Sequence, residues 1–168
     1  WNTVPNAPVA RLMGSPQGLL AGDATGAFWT SPDGTTWTSR SPARETAVTL
    51  NHVAHGNGLW VAVGDQGHIL TSSDGLTWTK RRQGLRLLNA VAYGGGRWVA
   101  VGSNGTEGLL NSADGLTWQV VSGSFGDLYG VAYGNGLWVA VGSYGMRYTS
   151  SDGLTWTARA GSANDSFF

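Results

Sequence analysis

The chain predicts an all-β fold, a β-propeller built from four four-stranded blades of about 40 residues each. Three observations predict it. One short phrase recurs four times, as "TSPDGTTWT" (30–38), "TSSDGLTWT" (71–79), "NSADGLTWQ" (111–119) and "TSSDGLTWT" (149–157). Its tryptophans, Trp37, Trp78, Trp118 and Trp156, are 41, 40 and 38 residues apart. A second phrase recurs in step: "HVAHGNGLWVAVG" (52–64), "AVAYGGGRWVAVG" (90–102) and "GVAYGNGLWVAVG" (130–142), with a shortened form, "QGLLAGDATG" (17–26). Finally, no segment keeps a 3.6-residue apolar period over helical length, and glycine pairs punctuate the apolar runs as hairpins require.

These repeats divide one domain, 1–168, into units at about 5–41, 42–82, 83–121 and 122–160. In the third unit strand A is predicted at 88–93, B at 97–102, C at 108–112 and D at 116–121. Strand B, "WVAVG", is apolar at consecutive positions, which suits a strand covered on both faces. The pairs Asp33–Gly34, Asp74–Gly75, Asp114–Gly115 and Asp152–Gly153 read as two-residue hairpins with φ > 0 at both positions. The tryptophan after each pair is then expected to bury its ring between neighbouring sheets. Residues 1–4, "WNTV", look like the end of a further strand D, and "GSANDSFF" (161–168) like the approach to a further strand A. Five D-like strands against four A–B–C sets leave three arrangements: a four-bladed ring with an extra strand, a segment of a larger propeller, or several chains joined edge to edge.

Composition narrows the partners. Ten Lys+Arg balance ten Asp+Glu, so no net field steers the chain toward nucleic acid or an anionic membrane. No apolar stretch approaches the roughly 18 residues of a membrane helix, so no membrane insertion is expected. There is no cysteine, which excludes disulfides and leaves the redox compartment open. No charged-then-apolar leader is visible; for a secreted or displayed protein the signal would have been removed or would lie on a parent chain.

Ser72-Ser73-Asp74-Gly75-Leu76-Thr77-Trp78 resembles the Asp-box, or BNR, repeat of β-propellers, whose usual pattern is S-x-D-x-G-x-T-W. All four copies lack the residue between Asp and Gly. The chain is similar to the Asp-box-like repeats of bacterial surface proteins and phage virion proteins. That resemblance implies a propeller on a cell surface, a virion or otherwise outside the cell, with Asp boxes that are structural and distant from any catalytic centre. A sialidase of this family would need an arginine triad, a Tyr–Glu pair and an acid Asp, usually on six blades. Glutamate occurs only at Glu45 and Glu107, so the chain is read as no enzyme, with a sialidase-like glycosidase the third-ranked reading.

No cofactor or metal is expected. His52 and His55 are three residues apart on a strand and so point to opposite faces. His55 aligns with Tyr93 and Tyr133, which marks a packing position. The internal comparison is more telling. The A–B and C–D joints barely change between units, whereas the B–C turns ("DATG", "DQGH", "SNGTE", "SYGM") and the D–A connections ("SRSPARETAV", "KRRQGLR", "VVSGSFGD") do. In a propeller blade these variable joints share one face, and scaffolded loops carry function. Besides Arg40 and Arg44, that face is expected to hold Lys80, Arg81, Arg82 and Arg86, with His68, Tyr144 and Arg147, as a ligand-binding patch. The first reading is a non-catalytic binding or adhesion module for glycans or a protein surface; the alternative is a purely structural virion component. A homo-oligomer or membership of a larger assembly fits either.

Overall fold

We describe residues 9–15, 18–23, 28–39, 49–103, 105 and 107–159 of a computed structural model. The expected extra strand at 1–4, the arginines Arg40 and Arg44, and residues 161–168 lie outside them. The described residues form four antiparallel four-stranded sheets, each a meander in chain order. Blade 1 holds β1 (Val9–Ser15), β2 (Gly18–Asp23), β3 (Phe28–Ser31) and β4 (Thr38–Ser39). Blade 2 holds β5 (Leu50–Gly56), β6 (Leu59–Gly64), β7 (Ile69–Ser72) and β8 (Thr79–Arg82). Blade 3 holds β9 (Leu88–Gly94), β10 (Arg97–Gly102), β11 (Leu109–Ser112) and β12 (Gln119–Val120). Blade 4 holds β13 (Leu128–Gly134), β14 (Leu137–Gly142), β15 (Arg147–Ser150) and β16 (Thr157–Arg159). The first strands touch in succession, β1 to β5, β5 to β9 and β9 to β13, so they form the inner row of the propeller. The short, largely exposed last strands form its rim.

The A–B joints are tight because both loop residues have positive φ: 49° and 70° at Asn57–Gly58, 55° and 75° at Gly95–Gly96, 50° and 76° at Asn135–Gly136. That is the two-residue type I′ hairpin, whose twist matches that of the strands it joins. The C–D joints are built differently. Gly75 has φ 71°, but Asp74 is not among the positive-φ residues, and the strands part at Ser72 and rejoin only at Thr79. The expected two-residue hairpin is therefore corrected to a six-residue loop, and strand D of the third unit begins at Gln119 rather than 116. Side-chain hydrogen bonds hold this loop, which is why it needs no second left-handed residue.

Consecutive blades pack through a repeated apolar seam. We call the face of a blade toward its predecessor leading and the opposite face trailing. Along strand B, alternation sends Trp98 and Ala100 to the leading face of blade 3 and Val99 and Val101 to its trailing face. Trp98 and Ala100 join Val61, Val63 and Ile69 of blade 2 in one buried cluster. Val99 and Val101 join Trp138, Ala140 and Leu128 of blade 4 in another. The fully buried tryptophans are thus Trp98 and Trp138, both 1% exposed, with Trp60 at 4%. Trp37, Trp78, Trp118 and Trp156 are only half-buried: Trp78, Trp118 and Trp156 pack against the buried clusters, as expected, but the fully buried places belong to the strand B tryptophans. His55 is a packing residue: its ring lies 4.7 Å from that of Trp60, as Tyr93 lies 5.0 Å from Trp98 and Tyr133 5.0 Å from Trp138. Burial of this imidazole lowers its pKa, as desolvation of a cation requires.

Candidate functional site

The two ends of the propeller differ in kind. One end carries the constant loops. In blade 2 the Ser72 hydroxyl donates to Asp74 Oδ1 at 2.8 Å and accepts the Gly75 N–H at 2.8 Å. Asp74 Oδ1 also accepts the N–H groups of Leu76 and Thr77, each at 2.8 Å. Ser31 with Asp33, Ser112 with Asp114 and Ser150 with Asp152 repeat the pattern. The indole N–H groups of Trp37, Trp78 and Trp118 donate back to the carbonyls of Gly34, Gly75 and Gly115. Each aspartate is therefore engaged by its own loop. The Thr77 and Leu76 N–H groups bring Asp74 down to about 2, and those of Thr155 and Leu154 do the same for Asp152. Asp33 and Asp114 are lowered by the matching N–H pairs.

The folded-state pKa of these carboxylates is below the ordinary value of ~3.9. Their contribution is therefore present above that value and is lost as the pH falls toward about 2. Stability against acid, followed by far-ultraviolet circular dichroism, is expected to fall steeply across this window. The double variant Asp74→Asn, Asp152→Asn should be less stable at neutral pH and show a shallower acid slope; an unchanged slope would remove the carboxylates from the account. A cleft also opens at this end between blades 1 and 2, lined by Leu19, Thr30, Trp60, Asp74 and Leu76. By register with Leu59 and Arg97, Gly18 stands here where the other blades carry a long side chain.

The other end carries the variable joints. Of the predicted patch, Lys80, Arg81 and Arg82 lie on strand β8, not in a connecting loop; their pairing with Ile69 and Leu70 extends the sheet that far. Arg81 Nε donates to Thr71 Oγ1 at 2.8 Å, and Lys80 Nζ to Gln83 Oε1 at 3.4 Å. Arg82 reaches across to blade 3 and pairs with Glu107 at 2.7 Å, both side chains being largely covered. Glu107 also accepts the Leu85 N–H at 2.9 Å. That bond, then Arg82 and the nearby charge of Arg86, hold its carboxyl below the usual range against a desolvation that opposes them. Arg86 lies against Gly105. His68 is buried, its Nδ1 2.8 Å from the Asp65 carbonyl oxygen. Arg82 and His68 are thus spent inside the fold: one clips the connection 83–87 to the next blade, the other closes the turn at 65–68. Lys80 and Arg81 remain exposed, while Arg147 is half-buried at the start of β15, opposite Arg159.

Tyr144 differs from all of these. It is 90% exposed at the tip of the B–C turn of blade 4, with φ 54° and ψ 31°. Gln66 occupies the equivalent position in blade 2 with the same backbone, φ 53° and ψ 31°, and its carbonyl accepts the Gly84 N–H at 2.8 Å. A left-handed backbone is costly for a bulky side chain, so the turn holds an aromatic ring outward in a conformation that the ring itself disfavours. Leu85, 89% exposed on the connection that Glu107 pins, is a second apolar group on this end. The sequence gives Leu85 no role and weighs Glu107 only as a possible catalytic carboxylate, not as the partner of Arg82. The visible signal for Leu85 was an apolar residue placed between Gly84 and Arg86, inside a stretch read only for its charges.

Residues 18–128 match the family described as the DUF6242 beta propeller domain. None of the curated proteins matches the chain in sequence. Among solved structures, it is similar to YCF48 bound to D1 peptide, with a TM-score of 0.67 at 18% identity, over 90% of this chain and 54% of that one. YCF48 from Cyanidioschyzon merolae gives 0.66 at 17%, over 95% and 59%. The computationally designed protein Ika8 gives 0.66 at 16%, over 90% and 48%. The chain therefore spans about half the length of these propellers, and at such identities the likeness is one of fold.

Proposed function

As this chain belongs to the DUF6242 beta propeller domain family, we propose that it is a non-catalytic binding module that takes a protein segment on the end carrying the variable joints. The observation that carries this reading is Tyr144, exposed and held in a left-handed turn. Strain kept at an exposed position is a pointer to use, and tyrosine supplies a large amphipathic contact at small entropic cost. Leu85 adds an apolar contact, and Lys80, Arg81 and Arg86 a cationic rim suited to an acidic stretch of partner. The similar structure of YCF48 bound to D1 peptide supports a protein segment over a glycan. The four constant loops serve as scaffold in this reading, since their carboxylates are engaged by their own backbones.

The test is a pair of arrays, one of peptides and one of glycans, probed with the same labelled chain. Binding to peptides that falls about tenfold, or ~1.4 kcal/mol, in Tyr144→Ala is expected. Binding confined to glycans, or peptide binding indifferent to Tyr144, would overturn the proposal. A companion effect follows from the backbone: Tyr144→Gly should leave stability unchanged or raise it by roughly 1 kcal/mol, because relief of the left-handed strain outweighs the added freedom of the unfolded chain.

A further inference from the structure

We infer that a small polar pocket on blade 3, walled by Arg97, Asn111 and Gln119 beside the loop 112–118, is a second binding site and takes a neutral sugar ring. It does not rest on the binding reading above and survives its failure.

Strand register shows what sets blade 3 apart. On this part of the blade, 2 and 4 agree with each other. They have leucine at the start of strand B (Leu59, Leu137), threonine on strand C (Thr71, Thr149), serine in the loop (Ser73, Ser151) and threonine at the start of strand D (Thr79, Thr157). Blade 3 has Arg97, Asn111, Ala113 and Gln119 at those places. All of these departures line one pocket, together with Asp114 and Thr117. Drift on a solvated face would scatter; here it converges. A further exchange opens the space. Arg81 and Arg159 of strand D each donate from Nε to the strand C threonine, Thr71 or Thr149, at 2.8 Å. Blade 3 has Val121 in their place, 6% exposed and turned into the seam with Phe125 and Leu128, so no strand D guanidinium caps Asn111. Arg97 comes instead from strand B, and its Nη1 donates to Asn111 Oδ1 at 3.0 Å. A relocated arginine alone accounts for neither the second carboxamide, Gln119, nor the pocket beside it.

The walls select the ligand. Asn111 is 4% exposed, so a covered carboxamide forms part of the lining, while Gln119 and Thr117 stand exposed at the rim. A guanidinium has five donors, and Arg97 spends one on Asn111. Among the described residues no carboxylate forms an ion pair with it. The loop bonds of Asp114 go to Oδ1, which leaves Oδ2 as an acceptor. The pocket therefore carries one cation and one anion, with two carboxamides and a hydroxyl that both donate and accept. A carboxylate ligand would meet the like charge of Asp114, and an ammonium that of Arg97. An apolar group would cover these polar atoms without bonding them, which is costly. Adjacent ring hydroxyls, each with one donor and two acceptor lone pairs, serve both kinds of partner at once. A volume of about 140 Å³, well below that of a site for a drug-sized ligand, suits one ring and not an extended chain.

The test follows the side-chain N–H signals of Arg97, Asn111 and Gln119 by nuclear magnetic resonance of the whole chain. The methyl pyranosides of glucose, galactose, mannose and N-acetylglucosamine are added in turn, with acetate and acetamide as controls. At least one sugar should shift these signals with millimolar affinity, and neither control should. Arg97→Leu and Asn111→Thr give blade 3 residues that blades 2 and 4 already carry, so both should fold, as signals away from the pocket will show. Each should weaken the sugar about tenfold or more, whereas Tyr144→Ala should leave it unchanged. Silence toward all four sugars overturns the inference, and so does a response to acetate or acetamide without one to a sugar. Sugar binding that is indifferent to Arg97→Leu, or that is lost in Tyr144→Ala, would place the sugar elsewhere and overturn it equally.

Discussion

Trp98→Ala is expected to destabilise the fold by about 3–5 kcal/mol, the range for removing a large buried aromatic. The ring is 1% exposed and stands in the seam between blades 2 and 3 with Val61, Val63 and Ile69 on one side and Leu88 and Leu110 on the other. Tyr93 stacks against it at 52°. Neither neighbouring sheet can collapse into the vacated volume without breaking its own pairing, so most of the cavity would remain. Against a total stability of about 5–15 kcal/mol, the loss is large. Trp118→Ala, which removes a half-buried ring tied to its own loop by one hydrogen bond of 2.9 Å, should cost less, about 1–2 kcal/mol. Urea unfolding followed by circular dichroism measures both. Equal losses would mean that the loop tryptophans carry the core after all.

Gly102→Ala is expected to cost about 3 kcal/mol, the upper part of the range for forcing an extra carbon into a packed site. A Cβ at this position would run into the Leu87 carbonyl oxygen. That oxygen belongs to the backbone and already accepts the Ser103 N–H at 2.9 Å, so it has nowhere to go without giving up a buried hydrogen bond. Gly64 against the Thr49 carbonyl and Gly142 against that of Asp127 repeat the arrangement, each at the register shift where strand A bulges past strand B. Gly134→Ala is the control: it faces open space and should change stability by no more than about 0.5 kcal/mol. A neutral Gly102→Ala, measured by the same unfolding curves, would contradict the close approach.

The propeller was legible because its signals are local and repeat. Strands A and B of the third unit, expected at 88–93 and 97–102, are Leu88–Gly94 and Arg97–Gly102, since glycine pairs mark their ends and unbroken apolar runs their lengths. What escaped depends on contacts between blades. LWVAVG reads the same in blades 2 and 4, yet its surroundings differ; no local pattern carries that difference. Arg82 looked like one cation among several because its partner, Glu107, is 25 residues away in the chain. The C–D loop misled for another reason. Asp-Gly is a strong hairpin signal, but Ser72 and Asp74 satisfy the backbone with side-chain oxygens instead, so the chain needs only one left-handed residue. The constancy of this phrase is accounted for by those bonds.

A scaffold end, where Asp33, Asp74, Asp114 and Asp152 hold loops, thus stands apart from the proposed binding end, where Tyr144 and Leu85 are exposed. The most direct test takes a peptide that the wild-type chain binds and measures, side by side, its affinity and the unfolding midpoint for two variants. One is Tyr144→Ala; the other replaces Asp74, Asp114 and Asp152 with asparagine. The account predicts that Tyr144→Ala loses affinity with its stability kept, and that the aspartate variant loses stability with its affinity kept at temperatures where it is folded. The reverse pattern, affinity lost with the aspartates and untouched by Tyr144, would put the binding site on the wrong end of the molecule.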